Sequence, residues 1–435
     1  MSGESFMDGR VVLHAGDCLE VMAELSARSI DSVVCDPPYG LGFMRRAWDH
    51  GVPGIRYWKQ CLRLLKPGGH LVAFAGTRTY HRLACAIEDA GFEIRDQIAW
   101  CYGSGFPKSR DVSKAIDDEA GASRPVVSSG APVKRMIPGA DQHKEGWEKN
   151  NGREFVPTVT EAATEAAREW QGWGTALKPA WEPVVFARKP FVDTVAANVL
   201  KHGTGAINID GCRVGDFDHD AYAADLNLEA NTRHGEASAQ RRYTENGSTN
   251  FAALPGPRGG SVKGRWPANI VHDGSEEVIA AFPDAPGQQF YVRPEHGDRP
   301  SRGIYGDFGA RPPNEPRNDS GSAARFFYTA KADADDRLGS KHPTVKPVDL
   351  MQWLCRLVTP NGGTVLDPFA GTGTTGEAAF REGFNAVLIE KESESQTDIR
   401  RRMALCLAGP GERRRESAKA KRRGAPVDEG PLFSI

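Results

Sequence analysis

Asp36-Pro37-Pro38-Tyr39, closed by Gly40, is the stretch of this sequence best fitted to chemistry. It follows a short apolar run, Ser32-Val33-Val34-Cys35, that predicts a buried strand. Two successive prolines lack an N–H and have fixed φ, so the chain must leave the sheet there as a stiff, extended corner. Such a corner gathers a carboxylate, a proline carbonyl that no helix or ladder consumes, and an aromatic face. The set suits a planar amine, held in its plane by hydrogen bonds to Asp36 and the Pro37 carbonyl and stacked on Tyr39. The plainer alternative is a proline-stiffened turn in which Asp36 caps and Tyr39 packs.

A second cluster lies near the other end. Thr364-Val365-Leu366-Asp367-Pro368-Phe369-Ala370-Gly371-Thr372-Gly373-Thr374-Thr375-Gly376 reads as a strand running into a glycine-rich turn. A helix is predicted over 377–382 with its stop at Gly383, then a strand from Asn385 to Ile389 that ends at Glu390. Glycines let such a turn approach a ligand closely, and the helix N-terminus attracts negative charge. Glu390, at the carboxyl end of its strand, is placed to accept hydrogen bonds from two ribose hydroxyls. Gly371, Gly373 and Gly376 also satisfy G-x-G-x-x-G, so a nicotinamide-dependent oxidoreductase is a competing reading. That reading leaves the Asp36 corner unexplained.

Taken together, the two clusters make the chain similar to the amino-group DNA methyltransferases that use S-adenosylmethionine, in the order that places the catalytic motif before the cofactor motif. D-P-P-Y resembles the family's catalytic motif and D-P-F-x-G-x-G-T its cofactor turn. His342-Pro343-Thr344-Val345-Lys346-Pro347-Val348-Asp349-Leu350-Met351 resembles the segment that precedes the cofactor strand, and Gly16-Asp17-Cys18-Leu19-Glu20-Val21-Met22 the turn that meets the adenine. The resemblance covers roughly residues 10–102 and 326–392. It implies catalytic roles for Asp36, Pro37, Pro38 and Tyr39. It implies cofactor contacts for Asp17, Lys346, Asp367, Phe369, Gly371, Gly373, Thr374 and Glu390, Asp367 being equally suited to support the turn. Double-stranded DNA is then the substrate, with the target base flipped out of the stack. Asp at the first catalytic position goes mostly with adenine N6 in this family, Ser with cytosine N4. Adenine is therefore expected, and cytosine N4 is the alternative. RNA or protein glutamine is a further rival, as in N-P-P-Y relatives, and a non-catalytic DNA binder is disfavoured by the intact Asp36 and Tyr39. A homodimer and a cognate restriction enzyme are partners that the resemblance allows.

The elements that must position these residues read as strands alternating with helices. The order from Val11 is strand, the Gly16-Asp17 turn, helix 19–25, the strand into Asp36, a helix around Tyr57–Leu65, strand 70–75, helix 80–89 and strand 92–102. This predicts an α/β fold with a doubly wound, mostly parallel sheet of the Rossmann-like methyltransferase type. Asp36 and Asp367 would emerge at one edge if their strands are neighbours, since ligands of such sheets bind beyond the carboxyl ends of the strands. Residues 1–102 and 326–407 form the two halves of this domain. Between them, 103–325 is loop-rich, with strand-like pieces at Trp181–Arg188 and 265–271, and the resemblance makes it the target-recognition region. The segments around 215–260 and 293–322 have too few large apolar side chains to build a core. Residues 408–435 read as a basic, disordered tail able to bind phosphate.

Composition adds limits. The 435 residues include 55 Lys and Arg against 57 Asp and Glu, so bulk charge does not argue for nucleic acid and a basic face would have to be local. The 8 cysteines form no C-x-x-C pair, so no metal site is expected and a reducing, cytoplasmic setting fits. Neither a leader pattern nor a span of membrane length is present.

Overall fold

Continuous apolarity, rather than alternation, marks the central strands and predicts a sheet covered on both faces. The computed structural model of the chain bears this out. It describes residues 3–42, 49, 51–105, 109–131, 133–134, 139–143, 146–150, 154–215, 264–285, 301–303, 306–308, 320–330, 334–340, 342 and 344–423. The strands that build its main sheet are β1 (Glu4–Phe6), β2 (Val11–Ala15), β3 (Ile30–Cys35), β4 (Leu65–Phe74), β5 (Glu93–Cys101), β6 (Trp181–Arg188), β7 (Ile270–His272), β8 (Tyr328–Thr329), β9 (Thr364–Asp367) and β10 (Asn385–Glu390). Their spatial order is β1-β2-β10-β9-β3-β4-β6-β5-β7-β8. Neighbours run parallel except where β1 meets β2 and where β6 lies antiparallel between β4 and β5.

Successive residues of one strand serve opposite cores, as a period of two requires. Val33 and Cys35 of β3 join Leu71 of β4 in a layer with Met22, Trp58 and Leu83, from helices α1 (Cys18–Glu24), α2 (Ile55–Leu64) and α3 (Tyr80–Asp89). Val34, Val72 and Phe74 face the other way, against Met351, Trp353 and Leu354 of α4 (Val348–Val358) and Ala378 of α5 (Thr374–Arg381). Pro347 is the N-cap of α4. β4 begins at Leu65, directly after α2 and earlier than the strand expected from residue 70.

The described chain divides into two units: residues 1–39 with 51–103 and 181–417, and residues 40–50 with 104–180 and 418–435. One break between the units, at 103/104, lies next to the boundary expected from sequence at 102/103, and the next is at 180/181. Trp181–Arg188 is a strand, as its pattern says, but it is an internal strand of the main sheet, paired along Val184–Arg188 with β4 and over its whole length with β5. Within the smaller unit, helices Val112–Glu119 and Glu165–Glu169 are tied through the buried Asp117. Its carboxylate accepts from Ala163 N, Thr164 N, Thr164 Oγ1 and Arg124 Nη1. The expectations for 215–260 and 293–322 fall largely outside the described residues.

The C-terminal end also differs from the expected tail. Following α6 (Ser393–Ala404), residues Pro410–Arg423 form a helix, α7; what lies beyond is outside the described residues. Arg413, within the stretch expected to be a basic, disordered tail, is buried instead and donates to Glu377 Oε1 (2.7 Å) and to the Leu405 carbonyl (3.0 Å). Glu377 of α5 has no exposed surface and also receives Arg402 (2.7 Å). Burial pushes the Glu377 carboxyl up, but Arg402, Arg413 and Arg381 outweigh it and hold it below the ordinary carboxylate value. Arg413→Ala should therefore lower unfolding free energy by about 2 kcal/mol, because two arginines still cover the carboxylate. Urea denaturation of the parent and variant measures this.

Candidate active site

β3 and β9 are parallel neighbours, with Val365 opposite Ser32 and Leu366 opposite Val33. This register brings the carboxyl ends of both strands to one edge, where Asp36 lies two residues beyond the level of Asp367. Residues 36–39 carry no helix or ladder, as two prolines dictate. Pro37 is buried, whereas Asp36, Pro38 and Tyr39 are half-buried. The Thr79 hydroxyl donates to the Tyr39 carbonyl at 2.7 Å and fixes the corner.

The Asp36 carboxylate sits in a four-residue network. Lys346 Nζ donates to Asp36 Oδ2 at 2.7 Å, and the Tyr39 hydroxyl donates to Asp36 Oδ1 at 2.8 Å. Glu182 Oε2 lies 3.0 Å from the same hydroxyl and 3.2 Å from Lys346 Nζ. Lys346 is buried, and its ammonium also lies 4.8 Å from the Phe74 ring centre and 5.5 Å from that of Tyr39. Burial pushes the Lys346 ammonium down, but Asp36 and Glu182 together raise it above the ordinary lysine value, so it stays charged. Burial, with Asp36 and then Glu182, holds the Tyr39 phenol far above its ordinary value, so it remains a hydrogen donor. Burial and Glu182 push the nearby Tyr102 phenol up to about 12, against the pull of Lys346.

The sequence placed Lys346 on the cofactor side; its observed contacts are with the amine corner. Glu182 was not foreseen as a site residue. β6 runs antiparallel to β4 and β5, so its first residues lie at the edge where the parallel strands end. The one available signal was an acidic residue opening a strand-like run, and periodicity alone gives no strand direction.

At the neighbouring strand end, Asp367 Oδ1 accepts from Phe369 N and Oδ2 from the Thr375 hydroxyl, so this buried carboxylate braces the turn. Burial raises the Asp367 carboxyl to about 7. The folded chain thus binds this proton more tightly than the unfolded chain, and the buried carboxyl costs stability as pH climbs from the ordinary carboxylate range to about 7. Asp367→Asn should remove that slope. Melting curves between pH 5 and pH 8 should then show the variant gaining on the parent as pH rises.

Gly373 is the N-cap of α5 and Thr374 its first, buried residue, with its hydroxyl 3.3 Å from that of Thr372. A Cβ on Gly376 would stand 2.6 Å from Leu388 Cδ1, which explains the glycine where helix meets strand. Gly371 is different. Its φ is +52°, and a Cβ there would meet nothing nearer than 4.0 Å, the closest atoms being His342 Nε2 and the Phe369 carbonyl. The Phe369 ring packs at 6.0 Å from Tyr57 and 6.1 Å from Trp58. Glu390 Oε2 accepts from Gly371 N and Oε1 from Glu392 N, both at 2.7 Å. Burial raises the Glu390 carboxyl above its ordinary value. Asp17 Oδ1 accepts from Leu19 N and caps α1, while Oδ2 is 3.6 Å from Lys391 Nζ. Gly16 N donates to the Glu390 carbonyl, so the Asp17 turn and the Glu390 turn abut.

His342 links the two halves of the site. Its Nε2 lies beside Gly371, and burial lowers its imidazole against an opposing pull from Asp36. Among the described residues no group of three or more His, Cys, Asp or Glu could hold a metal ion, and no helix is long and apolar enough to cross a membrane.

An acidic corner thus stands beside a glycine turn at the carboxyl edge of a mostly parallel α/β sheet. A family model described as DNA methylase, of the N6/N4 group, matches residues 30–401. The chain belongs to this DNA methylase family, whose methyl donor is S-adenosylmethionine. It is 30% identical over 120 residues, 26% of its length, to the type II methyltransferase M.HpaI of Haemophilus parainfluenzae, and the match spans only 38% of that protein. Among solved structures, the cytosine-N4-specific PvuII DNA methyltransferase covers 96% of the chain and is itself covered to 94%, at 13% identity and a TM-score of 0.41. The Thermus thermophilus protein TTHA0409 complexed with S-adenosyl-L-methionine covers 91%, is covered to 94%, and gives 17% identity and a TM-score of 0.38.

The residues fit this cofactor. Gly371 leaves open the space that a side chain would fill, and the Glu390 oxygens each keep a lone pair beyond their backbone bonds.

Proposed function

We propose that the protein methylates the exocyclic N6 amino group of adenine in double-stranded DNA, the base being flipped into the Asp36 corner. One observation carries this reading: the Asp36 carboxylate, with its Tyr39 and Lys346 partners, stands at the same sheet edge as the glycine turn. Asp at the first position of the catalytic motif favours adenine over cytosine.

Glu390 and Asp17 would hold the ribose and adenine of S-adenosylmethionine, with Phe369, Gly371, Gly373 and Thr374 around the remainder and Asp367 bracing the turn. When bound, the cofactor supplies an activated methyl group. An exocyclic amine shares its lone pair with the ring and attacks poorly. Asp36 and the Pro37 carbonyl, accepting one N–H each, favour a pyramidal nitrogen and stabilise the positive charge that develops there. Holding the nitrogen in line supplies much of the rate. The Tyr39 ring replaces the stacking that the flipped base loses. Lys346, donating to Oδ2, keeps Asp36 aimed. A DNA substrate implies a cytoplasmic location. A homodimer and a cognate restriction enzyme are expected on the likeness to type II methyltransferases alone.

Transfer of labelled methyl from S-adenosylmethionine to a panel of duplexes, followed by digestion to nucleosides, tests the assignment. The expected product is N6-methyladenosine in the deoxy series. N4-methylcytosine would move the activity to the other base, and label in RNA or protein alone would overturn the DNA reading.

A further inference from the structure

Lys346 and Tyr39 bring four polar hydrogens to the corner, three on nitrogen and one on oxygen. The three ammonium hydrogens match three acceptors: Asp36 Oδ2 at 2.7 Å, Glu182 Oε2 at 3.2 Å and the Tyr39 oxygen at 3.2 Å. The single Tyr39 hydrogen faces two carboxylates, Asp36 Oδ1 at 2.8 Å and Glu182 Oε2 at 3.0 Å, and can serve only one at a time. A donor with two near-equivalent acceptors is a two-position switch, turned by rotation of the hydroxyl alone.

We propose that Glu182 is a positioning residue that takes over the Tyr39 hydroxyl when the target amine arrives, and so frees Asp36 Oδ1 to accept the amine N–H. The role rests on the methyltransferase reading given above. Without substrate, both Asp36 oxygens are engaged, Oδ1 by Tyr39 and Oδ2 by Lys346. An arriving N–H would share Oδ1 with the phenol through the oxygen's second lone pair, and meets its full acceptor strength only if the phenol turns away, which would leave the phenol hydrogen unmatched. Glu182 removes that cost, because the phenol exchanges one carboxylate for another and no buried donor is orphaned. The strand order makes this arrangement available. β6 enters the sheet antiparallel between β4 and β5, so Glu182, its second residue, reaches the edge where β3 ends at Asp36. Pro183 follows it and pairs opposite Ala99 of β5.

Single-turnover methyl transfer to DNA, at saturating S-adenosylmethionine, tests the switch in the parent, E182A, E182Q, Y39F and the Y39F/E182A double variant. E182A should slow transfer about 30-fold, with cofactor Kd within about threefold and the melting temperature close to that of the parent. E182Q, whose amide oxygen still accepts the phenol, should recover to within about fivefold of the parent. On the Y39F background, E182A should cost less than about threefold, since the hydroxyl it serves is gone. An equal loss on both backgrounds would overturn the switch, as would losses of rate, cofactor affinity and melting temperature in parallel that E182Q fails to recover. An active parent with E182A at the parental rate would overturn the switch alone. A parent that binds cofactor yet methylates no DNA would overturn the functional reading and this role with it.

Discussion

Asp36→Ala should reduce single-turnover methyl transfer by about 1,000-fold or more while S-adenosylmethionine binds within about threefold of the parental affinity. The asymmetry follows from where Asp36 makes its bonds. Its oxygens face Tyr39 and Lys346, and the hydrogen bonds that shape the glycine turn come from Asp367 and Glu390 instead. Truncation also leaves Lys346 with Glu182 as a counter-ion at 3.2 Å, so no buried ammonium is orphaned and the fold should persist. What disappears is the acceptor proposed to stabilise charge on the attacked nitrogen. Calorimetric titration of cofactor beside a labelled-methyl assay separates the two quantities. A fall in affinity that matches the fall in rate would mean that Asp36 belongs to the cofactor site.

Glu390→Ala should do the reverse, raising the cofactor Kd about 50-fold and leaving the rate at saturating cofactor within about fivefold. Two effects add here. The variant loses the acceptors proposed for the ribose hydroxyls. It also unties Gly371 N and Glu392 N, two backbone donors that the carboxylate holds at 2.7 Å, so the turn loses its brace. Glu390→Gln keeps one acceptor oxygen and should fall between the parent and the alanine variant. Titration of all three proteins measures this, and unchanged affinity in the alanine variant would remove Glu390 from the ribose.

Much of the core sheet was legible in the sequence because its signals are local. The apolar run into Asp36, the helix at Tyr80–Asp89 and the strand-turn-helix of 364–382 each announce themselves by period and by punctuation at Pro or Gly. The adjacency of β3 and β9 came from resemblance, and the observed register agrees. What the sequence hid was non-local. Trp181–Arg188 reads as a strand, yet nothing in its alternation says that it enters the sheet antiparallel between β4 and β5. Glu182 therefore looked like an ordinary polar residue of an insert. Lys346 was assigned to the cofactor because its motif neighbours the cofactor strand in sequence; that its long side chain reaches Asp36 was not legible there. Residues 410–423 carry no apolar stripe to betray a helix. The start of that helix is anchored by a buried ion pair with Glu377, a partner that composition cannot point to.

The account stands on two strand ends, far apart in the chain, opening on one cleft. Crystallography of the protein soaked with S-adenosylmethionine tests that most directly. The cofactor should lie over Gly371 with its ribose on Glu390 and its methyl group turned toward the Asp36 carboxylate. A cofactor seated away from the glycine turn, or with its methyl group facing away from Asp36, would contradict it.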